Sequence, residues 1–146
     1  MTTHLTPHFE AVAVGDSLPP VTKTITHNQL VRYAGASGDF NPIHTDPDAA
    51  QAAGLGGVIA HGLLNMAFLA QLVTDWAGDP GALRQLRCRF SRPVRPGDTV
   101  IAKGTIVDKS VVEGEQRVVC KLWVENQRGE IVLSDGQAVA VLPNHQ

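Results

Sequence analysis

The segment from Ala60 to Ala77 constrains the fold more than any other part of the chain. Apolar residues at positions 63, 64, 66–70, 72 and 73 would cover nearly every face of a helix, not one stripe. Such a helix must be enclosed by other structure or lie in lipid. The run is too polar to span a membrane, because four polar side chains interrupt it: His61, Asn65, Gln71 and Asp75. We therefore expect a central helix with a sheet curled around it.

The second half of the chain has the pattern of that sheet. Strand patterns cover residues 86–90, 99–107, 117–125 and 131–142, and the third of them places Val118, Cys120, Leu122 and Val124 on one face. Turn sequences such as Glu113-Gly114 and Arg128-Gly129 separate the strands. Consecutive strands joined by tight turns predict an antiparallel meander. With 146 residues, enough for one core, we predict a single α+β domain over residues 1–146.

The first half of the chain is predicted to hold a short strand and two helices. A weak alternation over residues 21–25 indicates the strand. Thr26 is placed to cap a helix that continues through Ala34, with Gln29 at the capping-box position. Glycines at 35 and 38 and a proline at 42 stop that helix, so residues 39–44 are expected to form a loop. Asp46-Pro47-Asp48 then begins a short helix over residues 49–53.

Composition excludes several classes of protein. The formal net charge is −2 and no basic run is present, which argues against a nucleic-acid-binding protein. The segment from Met1 to Glu10 has neither a basic residue nor an apolar stretch, so no signal peptide is expected. The two cysteines, Cys88 and Cys120, fit no metal or redox spacing. We expect them to be reduced, half-buried strand residues in a cytoplasmic protein.

Two short motifs carry the chemistry of this sequence. The first places Asp39 and His44 five residues apart around Pro42. The second, Ala60-His61-Gly62, opens the long apolar helix, whose first turn offers free backbone N–H groups. A carboxylate, an imidazole and oriented N–H donors are what proton transfer next to an activated carbonyl requires.

These motifs resemble those of a known family. The string Ser37-Gly38-Asp39-Phe40-Asn41-Pro42-Ile43-His44, the later Ala60-His61-Gly62, and residues 90–98 are similar to the MaoC-like (R)-specific enoyl-CoA hydratases. Within that family the chain most resembles the mycobacterial type of (3R)-hydroxyacyl-ACP dehydratase subunit, from about Phe9 to Val141. The resemblance implies a hot-dog fold, an architecture that also includes many thioesterases.

The resemblance also implies roles for individual residues. Asp39 and His44 would be the catalytic pair, jointly holding and deprotonating a water and returning a proton to C2 of the substrate. Which of them is the acid and which the base stays open, because an adjacent pair titrates as a unit. Gly62 would bind the thioester oxygen through its N–H. Asn41 would contribute to substrate binding or orient one of the pair by hydrogen bonding, and Pro42 would stiffen the loop.

Each of these residues also has a structural interpretation. Asp39 could be only a turn or cap residue, His44 a structural histidine, and Gly62 a feature of helix-start geometry. His61 could contact substrate or pack beneath the loop. A metal site built from Asp39, His44 and His61 is disfavoured, because zinc motifs usually space their ligands one helical turn apart. No metal is therefore expected.

Five arginines are crowded into residues 84–95, whereas residues 33–83 contain no lysine or arginine. Arg87 and Arg89 should share one face of a strand. Arginines suit phosphate geometry, so this strip could bind the phosphates of coenzyme A or the acidic surface of an acyl carrier protein. Alternatively, the charges protect a sheet edge from aggregation.

The sequence therefore predicts (R)-specific hydration of trans-2-enoyl thioesters, or the reverse dehydration of (3R)-hydroxyacyl thioesters, with no cofactor. By analogy with the family, we expect a homodimer, or a heterodimer with a related hot-dog subunit, and no nucleic-acid or membrane partner. Two alternatives stay open: a hot-dog thioesterase, and a non-catalytic acyl-binding subunit of a heterodimeric dehydratase. Acyl chain length, the carrier and the direction in the cell are not predicted.

Overall fold

The computed structural model describes residues 6–144, so residues 1–5 of the segment searched for a signal peptide lie outside it. The helices and strands are, in chain order, β1 (Val21–Thr24), α1 (His27–Ser37), α2 (Pro47–Ala52), α3 (Gly62–Ala77), β2 (Leu83–Phe90), β3 (Thr99–Val112), β4 (Glu115–Asn126) and β5 (Ile131–Val141). Single 3₁₀ turns cover Phe9–Ala11, Pro42–His44 and Pro80–Ala82.

All five strands form one antiparallel sheet in the order β1-β3-β4-β5-β2. The predicted meander is confirmed for β3, β4 and β5. Strand β2, however, does not pair with the strand that follows it but with β5 at the sheet edge, where Phe90 lies opposite Leu133. The connection over residues 91–98 is too long for a tight hairpin and carries the chain from one side of the sheet to the other.

Strand β3 extends five residues beyond the predicted end at Val107. The pairing of β3 with β4 shifts register between Ile106 and Asp108, and the ladder then continues to Val112 opposite Glu115. A bulge of this kind absorbs one residue and interrupts the alternation of apolar and polar side chains without ending the strand. The alternation in the sequence therefore ends near Val107, although the strand itself continues to Val112.

Helix α3 packs against the inner face of the sheet. Its buried side chains are Leu64, Asn65, Phe68, Leu69, Leu72, Val73 and Ala77. The sheet contributes the four inward residues predicted for β4, all of them fully buried: Val118, Cys120, Leu122 and Val124. Each buried leucine or valine of this kind contributes on the order of 2 kcal/mol relative to exposure.

The enclosure of α3 is incomplete within one chain. Leu63 is 62% exposed, and Ala67 on the next turn is also exposed. The five-stranded sheet covers one side of α3, as expected, and Leu63 and Ala67 lie on the side of the helix that faces away from it. No helix of the described residues combines the length and apolar character needed to cross a bilayer.

Local signals at the ends of α1 behave largely as predicted. The Thr26 hydroxyl accepts a hydrogen bond from the backbone N–H of Gln29 at 3.1 Å, although within residues 6–144 the Gln29 side-chain oxygen has no partner that would complete a capping box. Helix α1 continues through Gly35, three residues past the predicted end at Ala34, and Gly38 ends it with a φ of 75°, a left-handed conformation that glycine adopts without strain. This turn directs the chain into the segment that begins at Asp39.

Candidate active site

The segment after α1 is held by hydrogen bonds between near neighbours. The Ser37 hydroxyl accepts from the N–H of Asp39, Asp39 Oδ1 accepts from the N–H of Asn41, and Asn41 Oδ1 accepts from the N–H of Ile43, each at 3.2 Å. Asn41 thereby caps the 3₁₀ turn Pro42–His44, whose first residue has the φ that such a turn needs. The segment predicted to be a loop therefore contains one ordered turn.

The segment that leads into α3 is tied to the loop before β3. The N–H of Ala60 donates to the carbonyl of Val94 at 2.7 Å. The half-buried guanidinium of Arg95 donates to the carbonyls of Leu55 and Gly57 at 2.6 and 3.1 Å. Residues 90–98, the third family motif, therefore have a structural role, because their hydrogen bonds hold the segment that leads into α3.

Asp39 and His44 lie next to each other. The distance from His44 Nε2 to Asp39 Oδ2 is 3.8 Å, while His44 Nδ1 lies 2.7 Å from the carbonyl oxygen of Ile59. A carbonyl can only accept, so Nδ1 carries the proton and, in the neutral ring, Nε2 presents a lone pair toward the carboxylate. Two acceptors at this separation do not bond each other but can both accept from one water. His44 is almost fully buried, whereas the Asp39 side chain is 50% exposed.

His61 lies beneath this pair. It occupies the N-cap position of α3, but its side chain makes no capping hydrogen bond. Its Nε2 lies 3.2 Å from the main-chain oxygen of Asp39, and its ring stacks on that of His44 with centroids 3.9 Å apart and planes 25° apart. The ring of Tyr33 meets His61 edge-on at 4.8 Å. Three rings from α1, the 3₁₀ turn and the start of α3 thus pack in contact with one another, two stacked and one edge-on.

Burial is the main cause that lowers the pKa of His61, and the neighbouring His44 lowers it further. The hydrogen bond to the Asp39 carbonyl and the Asp39 carboxylate act in the opposite direction. The balance favours a neutral His61. Burial also raises the pKa of the Cys120 thiol to about 12 and raises that of Cys88, and both cysteines are unpaired. Neither thiol is therefore set up as a nucleophile.

Gly62 is the first residue of α3, and its N–H has no hydrogen-bond partner among the described residues. A Cβ at this position would lie 3.1 Å from Cε1 of Phe90, so the aromatic ring rests against the glycine. Exposed apolar side chains surround the site: Phe40 is 70% exposed, Leu63 62% and Phe90 53%. The helix start thus presents a free donor beside an accessible apolar surface.

The remaining predicted site residues are Asn41, Arg87 and Arg89. Asn41 hydrogen-bonds the Asp39 carboxylate through its backbone N–H, while its side-chain oxygen accepts from the N–H of Ile43. Its role in substrate binding stays a prediction. Arg87 and Arg89 are both exposed on β2 and flank the half-buried Cys88, although the pairing with β5 shifts register between them.

Most of the arginine strip is paired. Three of its arginines form ion pairs: Arg84 lies 3.2 Å from Glu115, Arg89 lies 3.5 Å from Asp135, and Arg92 lies 3.4 Å from Glu130. A fourth, Arg95, donates to the two backbone carbonyls described above. Within residues 6–144, the guanidinium of Arg87 alone among the five has neither a carboxylate nor a carbonyl partner. Phosphate or carrier binding by Arg87 and Arg89 stays a prediction, and Arg87 is the one of the two whose guanidinium has no ion-pair partner in the described residues.

Asp39, His44 and His61 bring three ligand atoms within 4.8 Å of one another, but their arrangement does not suit a metal ion. The two imidazole planes are nearly parallel and the rings are stacked. Lone pairs that lie in two such planes cannot both point at one ion about 2 Å from each nitrogen. Each ring also has a nitrogen next to a backbone carbonyl.

Sequence reasoning missed several contributors to this site. Tyr33 and the Ile59 carbonyl act through contacts that no spacing reveals. The position of Phe90 against Gly62 was also not foreseen, although Phe90 belongs to the third motif. Asn65, buried on the first turn of α3 with an unpaired side-chain oxygen among the described residues, had a usable signal, since it is polar in an otherwise apolar run.

An antiparallel sheet against one long helix, with an aspartate–histidine pair at the start of that helix, defines a hot-dog protein with an acid–base site. The MaoC like domain matches residues 10–127 of the chain. The chain belongs to the MaoC-like dehydratase family, and both the predicted family and the predicted α+β hot-dog fold are confirmed.

Individual relatives agree with this assignment. The chain is 31% identical over 137 residues to an (R)-specific enoyl-CoA hydratase from Rhodospirillum rubrum, covering 93% of this chain and 92% of the relative. It is also 31% identical over 134 residues to a mitochondrial 3-hydroxyacyl-[acyl-carrier-protein] dehydratase from Arabidopsis thaliana, covering 90% and 78%. The relatives are thus hydro-lyases that act on acyl thioesters.

Solved structures give the same result. The unliganded R-hydratase PhaJ1 from Pseudomonas aeruginosa is 29% identical with a TM-score of 0.84, covering 94% of this chain and 86% of that one. A chain of the ChsH1-ChsH2 complex from Mycobacterium tuberculosis is 26% identical with a TM-score of 0.76, covering 88% and 98%.

Proposed function

We propose that this protein catalyses the (R)-specific hydration of trans-2-enoyl thioesters and the reverse dehydration of (3R)-hydroxyacyl thioesters. The observation that carries the proposal is the pair of acceptors, His44 Nε2 and Asp39 Oδ2, held 3.8 Å apart with Nδ1 of the imidazole engaged by a carbonyl. The names of the hydratase and dehydratase relatives support the same activity.

The pair has the properties that water addition requires. A water placed about 2.8 Å from both acceptors donates one hydrogen to Nε2 of His44 and the other to Asp39. In hydration the water oxygen bonds to C3 of the substrate as Nε2 takes one of its protons. The resulting imidazolium is stabilised by the neighbouring carboxylate, and the pair returns one proton to C2. The complete reaction adds one water to the substrate and leaves the protein with the same number of protons as before.

The N-terminus of α3 supplies the second requirement. During addition, negative charge builds up on the thioester oxygen as C2 becomes enolate-like. The N–H of Gly62 and the positive end of the helix dipole stabilise that charge. The absence of a side chain at Gly62 allows the thioester to approach the backbone closely.

The direct test is hydration of crotonyl-CoA, followed by loss of enoyl absorbance, with chiral analysis of the product. Asp39→Asn and His44→Ala are expected to stay folded and to lose at least about 100-fold in kcat, a typical effect of removing a general acid or base. Asp48→Asn and His27→Ala are matched controls, because both residues are exposed and lie outside the site. Near wild-type rates in either site variant would remove that residue from the mechanism.

The same assay separates the two alternatives. A thioesterase would release free thiol, which a thiol-reactive dye detects, and would leave no 3-hydroxyacyl product. A non-catalytic acyl-binding subunit would show no turnover as a purified chain and would gain activity only when its partner is added. Formation of the (3S) product would contradict the proposed stereochemistry.

We also propose that the working unit is a dimer, either of identical chains or with a related hot-dog subunit. The uncovered side of α3 supports this, since the exposed Leu63 and Ala67 form an apolar surface that a second subunit would bury. The ChsH1-ChsH2 complex supports the heterodimeric form. Analytical ultracentrifugation is expected to give a dimer that Ala67→Glu shifts toward monomer. Val111→Glu is the control, on an exposed valine of β3.

The chemistry assigned to Asp39, His44 and Gly62 is complete without a metal or organic cofactor, so none is proposed. Activity should therefore survive prolonged dialysis against a chelator. A cytoplasmic location, expected from the cysteine pattern, stays a prediction, and fractionation of the source cells would test it.

A further inference from the structure

His61 makes contacts that its position in the helix does not require. An N-cap residue normally uses its side chain to accept from the first turn of the helix, and His61 does not. His61 is 1% exposed, and its side chain reaches instead to the active-site segment, residues 39–44. Burying an imidazole in this way costs free energy unless its polar atoms are used.

One polar atom of His61 is used on the catalytic segment itself. Because the main-chain oxygen of Asp39 can only accept, the Nε2–H of His61 must donate to it across 3.2 Å. This hydrogen bond joins residues 22 positions apart. It fixes the backbone of Asp39, whereas the contacts from Ser37 and Asn41 are local to the loop.

The ring of His61 is used as well. It covers one face of the His44 imidazole at 3.9 Å, and the ring of Tyr33 contacts it edge-on at 4.8 Å. The Ile59 carbonyl holds His44 by one edge, which fixes where the ring points but does not restrain rotation about that contact. A second ring stacked on its face removes that rotation.

We propose that His61 is a positioning residue that sets the Asp39 backbone and the plane of the His44 ring at the same time, and that it does so in its neutral form. This inference rests on the function proposed above. It assigns to one side chain the task of keeping Nε2 of His44 and Oδ2 of Asp39 at the separation that one water can bridge.

The neutral form follows from what surrounds the ring. The titratable groups that face it are Tyr33 from α1 and Asp39 and His44 from the active-site segment, and its own helix contributes the uncharged Asn65 one turn away. Two stacked imidazoles cannot both be protonated without strong repulsion. A neutral His61 therefore leaves His44 as the ring that carries the proton during turnover.

Three substitutions separate the two contacts of His61. His61→Gln keeps an amide donor near the position of Nε2 but has no ring, His61→Phe keeps a ring but has no donor, and His61→Ala removes both. We expect kcat to fall about 100-fold in the alanine variant and about tenfold in each of the others, because misplacing catalytic groups by about 1 Å costs up to about 100-fold. KM should change by less than about twofold, since no contact to substrate is removed.

Wild-type kcat in all three variants would overturn the inference and would make His61 a packing residue only. A rise in KM with unchanged kcat would also overturn it, because that result identifies a substrate contact. Thermal denaturation of each variant, with His27→Ala as the control histidine, corrects kcat for the folded fraction. If Asp39→Asn and His44→Ala are also fully active, the proposed function fails; if those two are inactive and the His61 variants are unaffected, only this inference fails.

Discussion

The ring of Phe90 rests against Gly62, with Cε1 3.1 Å from the position that a Cβ on the glycine would occupy. Gly62→Ala would therefore press on the Phe90 ring beside the helix N-terminus, where the thioester oxygen is proposed to bind. Alanine is the better helix former, so we expect unchanged or slightly higher stability, within about 1 kcal/mol. Hydration activity should nevertheless fall about tenfold or more.

The double variant Gly62→Ala/Phe90→Ala distinguishes two causes of that loss. If the added methyl acts by displacing Phe90, the double variant should behave like Phe90→Ala alone. If the methyl itself blocks access to the N–H, activity should stay low. Full activity of Gly62→Ala in the hydration assay would contradict the assignment of the Gly62 N–H to the thioester oxygen.

The tautomer of His44 can be measured without any turnover. Because the Ile59 carbonyl accepts from Nδ1, the neutral ring should carry its proton on Nδ1. Long-range ¹H–¹⁵N correlation spectra of the histidine side chains at mildly alkaline pH should show this tautomer, and His44→Ala should remove the signal and so assign it. A neutral His44 protonated on Nε2 would contradict the orientation of the catalytic pair.

His61 should make stability depend on pH. Burial, and then the neighbouring His44, lowers its pKa below the ordinary value of 6.5. As the pH falls below that value, the unfolded chain binds a proton that the folded protein resists, so the stabilisation is complete above pH 6.5 and is lost on the acid side. We expect the wild type to lose more thermal stability than His61→Gln between about pH 7 and about pH 5.5.

Thermal denaturation of the two proteins at both pH values measures this difference. The arginine partners of Glu115 and Glu130 lower the pKa of both carboxyls below the ordinary value of 4.5. Their contribution to stability therefore changes only below pH 4.5, outside the pH range chosen. Equal losses of stability in the two proteins would mean that His61 is not held neutral by the fold.

Arg95 is expected to matter more for stability than the other arginines of its strip. Arg95→Ala removes hydrogen bonds to the carbonyls of Leu55 and Gly57 and should cost about 2–3 kcal/mol in the free energy of unfolding. Arg92→Ala, which breaks an exposed ion pair with Glu130, should cost less than about 1 kcal/mol. Denaturant titration measures both values. A smaller loss of unfolding free energy for Arg95→Ala than for Arg92→Ala would contradict the inference that residues 90–98 hold the segment that leads into α3.

Arg87 provides a test of carrier binding. As the arginine of the strip without a partner in the described part of the chain, it is the one free to bind a phosphate. Arg87→Glu is expected to raise the KM for an acyl-CoA about tenfold at low salt, with kcat unchanged, because it removes a charge-assisted contact and adds repulsion. Arg92→Glu is the matched control. An unchanged KM would leave the charges of β2 with only the role of protecting a sheet edge.

Much of the local structure could be predicted from sequence because its causes are local. The Thr26 cap, the stop at Gly38, the start of a helix at Asp46-Pro47 and the period-two face of β4 each depend on residues within a few positions of one another. The Asp39–His44 spacing identified the family for the same reason. The order of the strands, with β2 beside β5, depends on the whole sheet and was not predictable in this way.

The sequence by itself determined which chemical groups are present: a carboxylate, an imidazole and a helix that begins with glycine, in a chain whose apolar helix needs a covering. Only the tertiary structure decided how these groups are oriented. The Ile59 carbonyl selects the tautomer of His44, and His61 turns away from its own helix toward Asp39. The physical reason is that tautomer, stacking and side-chain direction are set by groups that are close in space but distant along the chain.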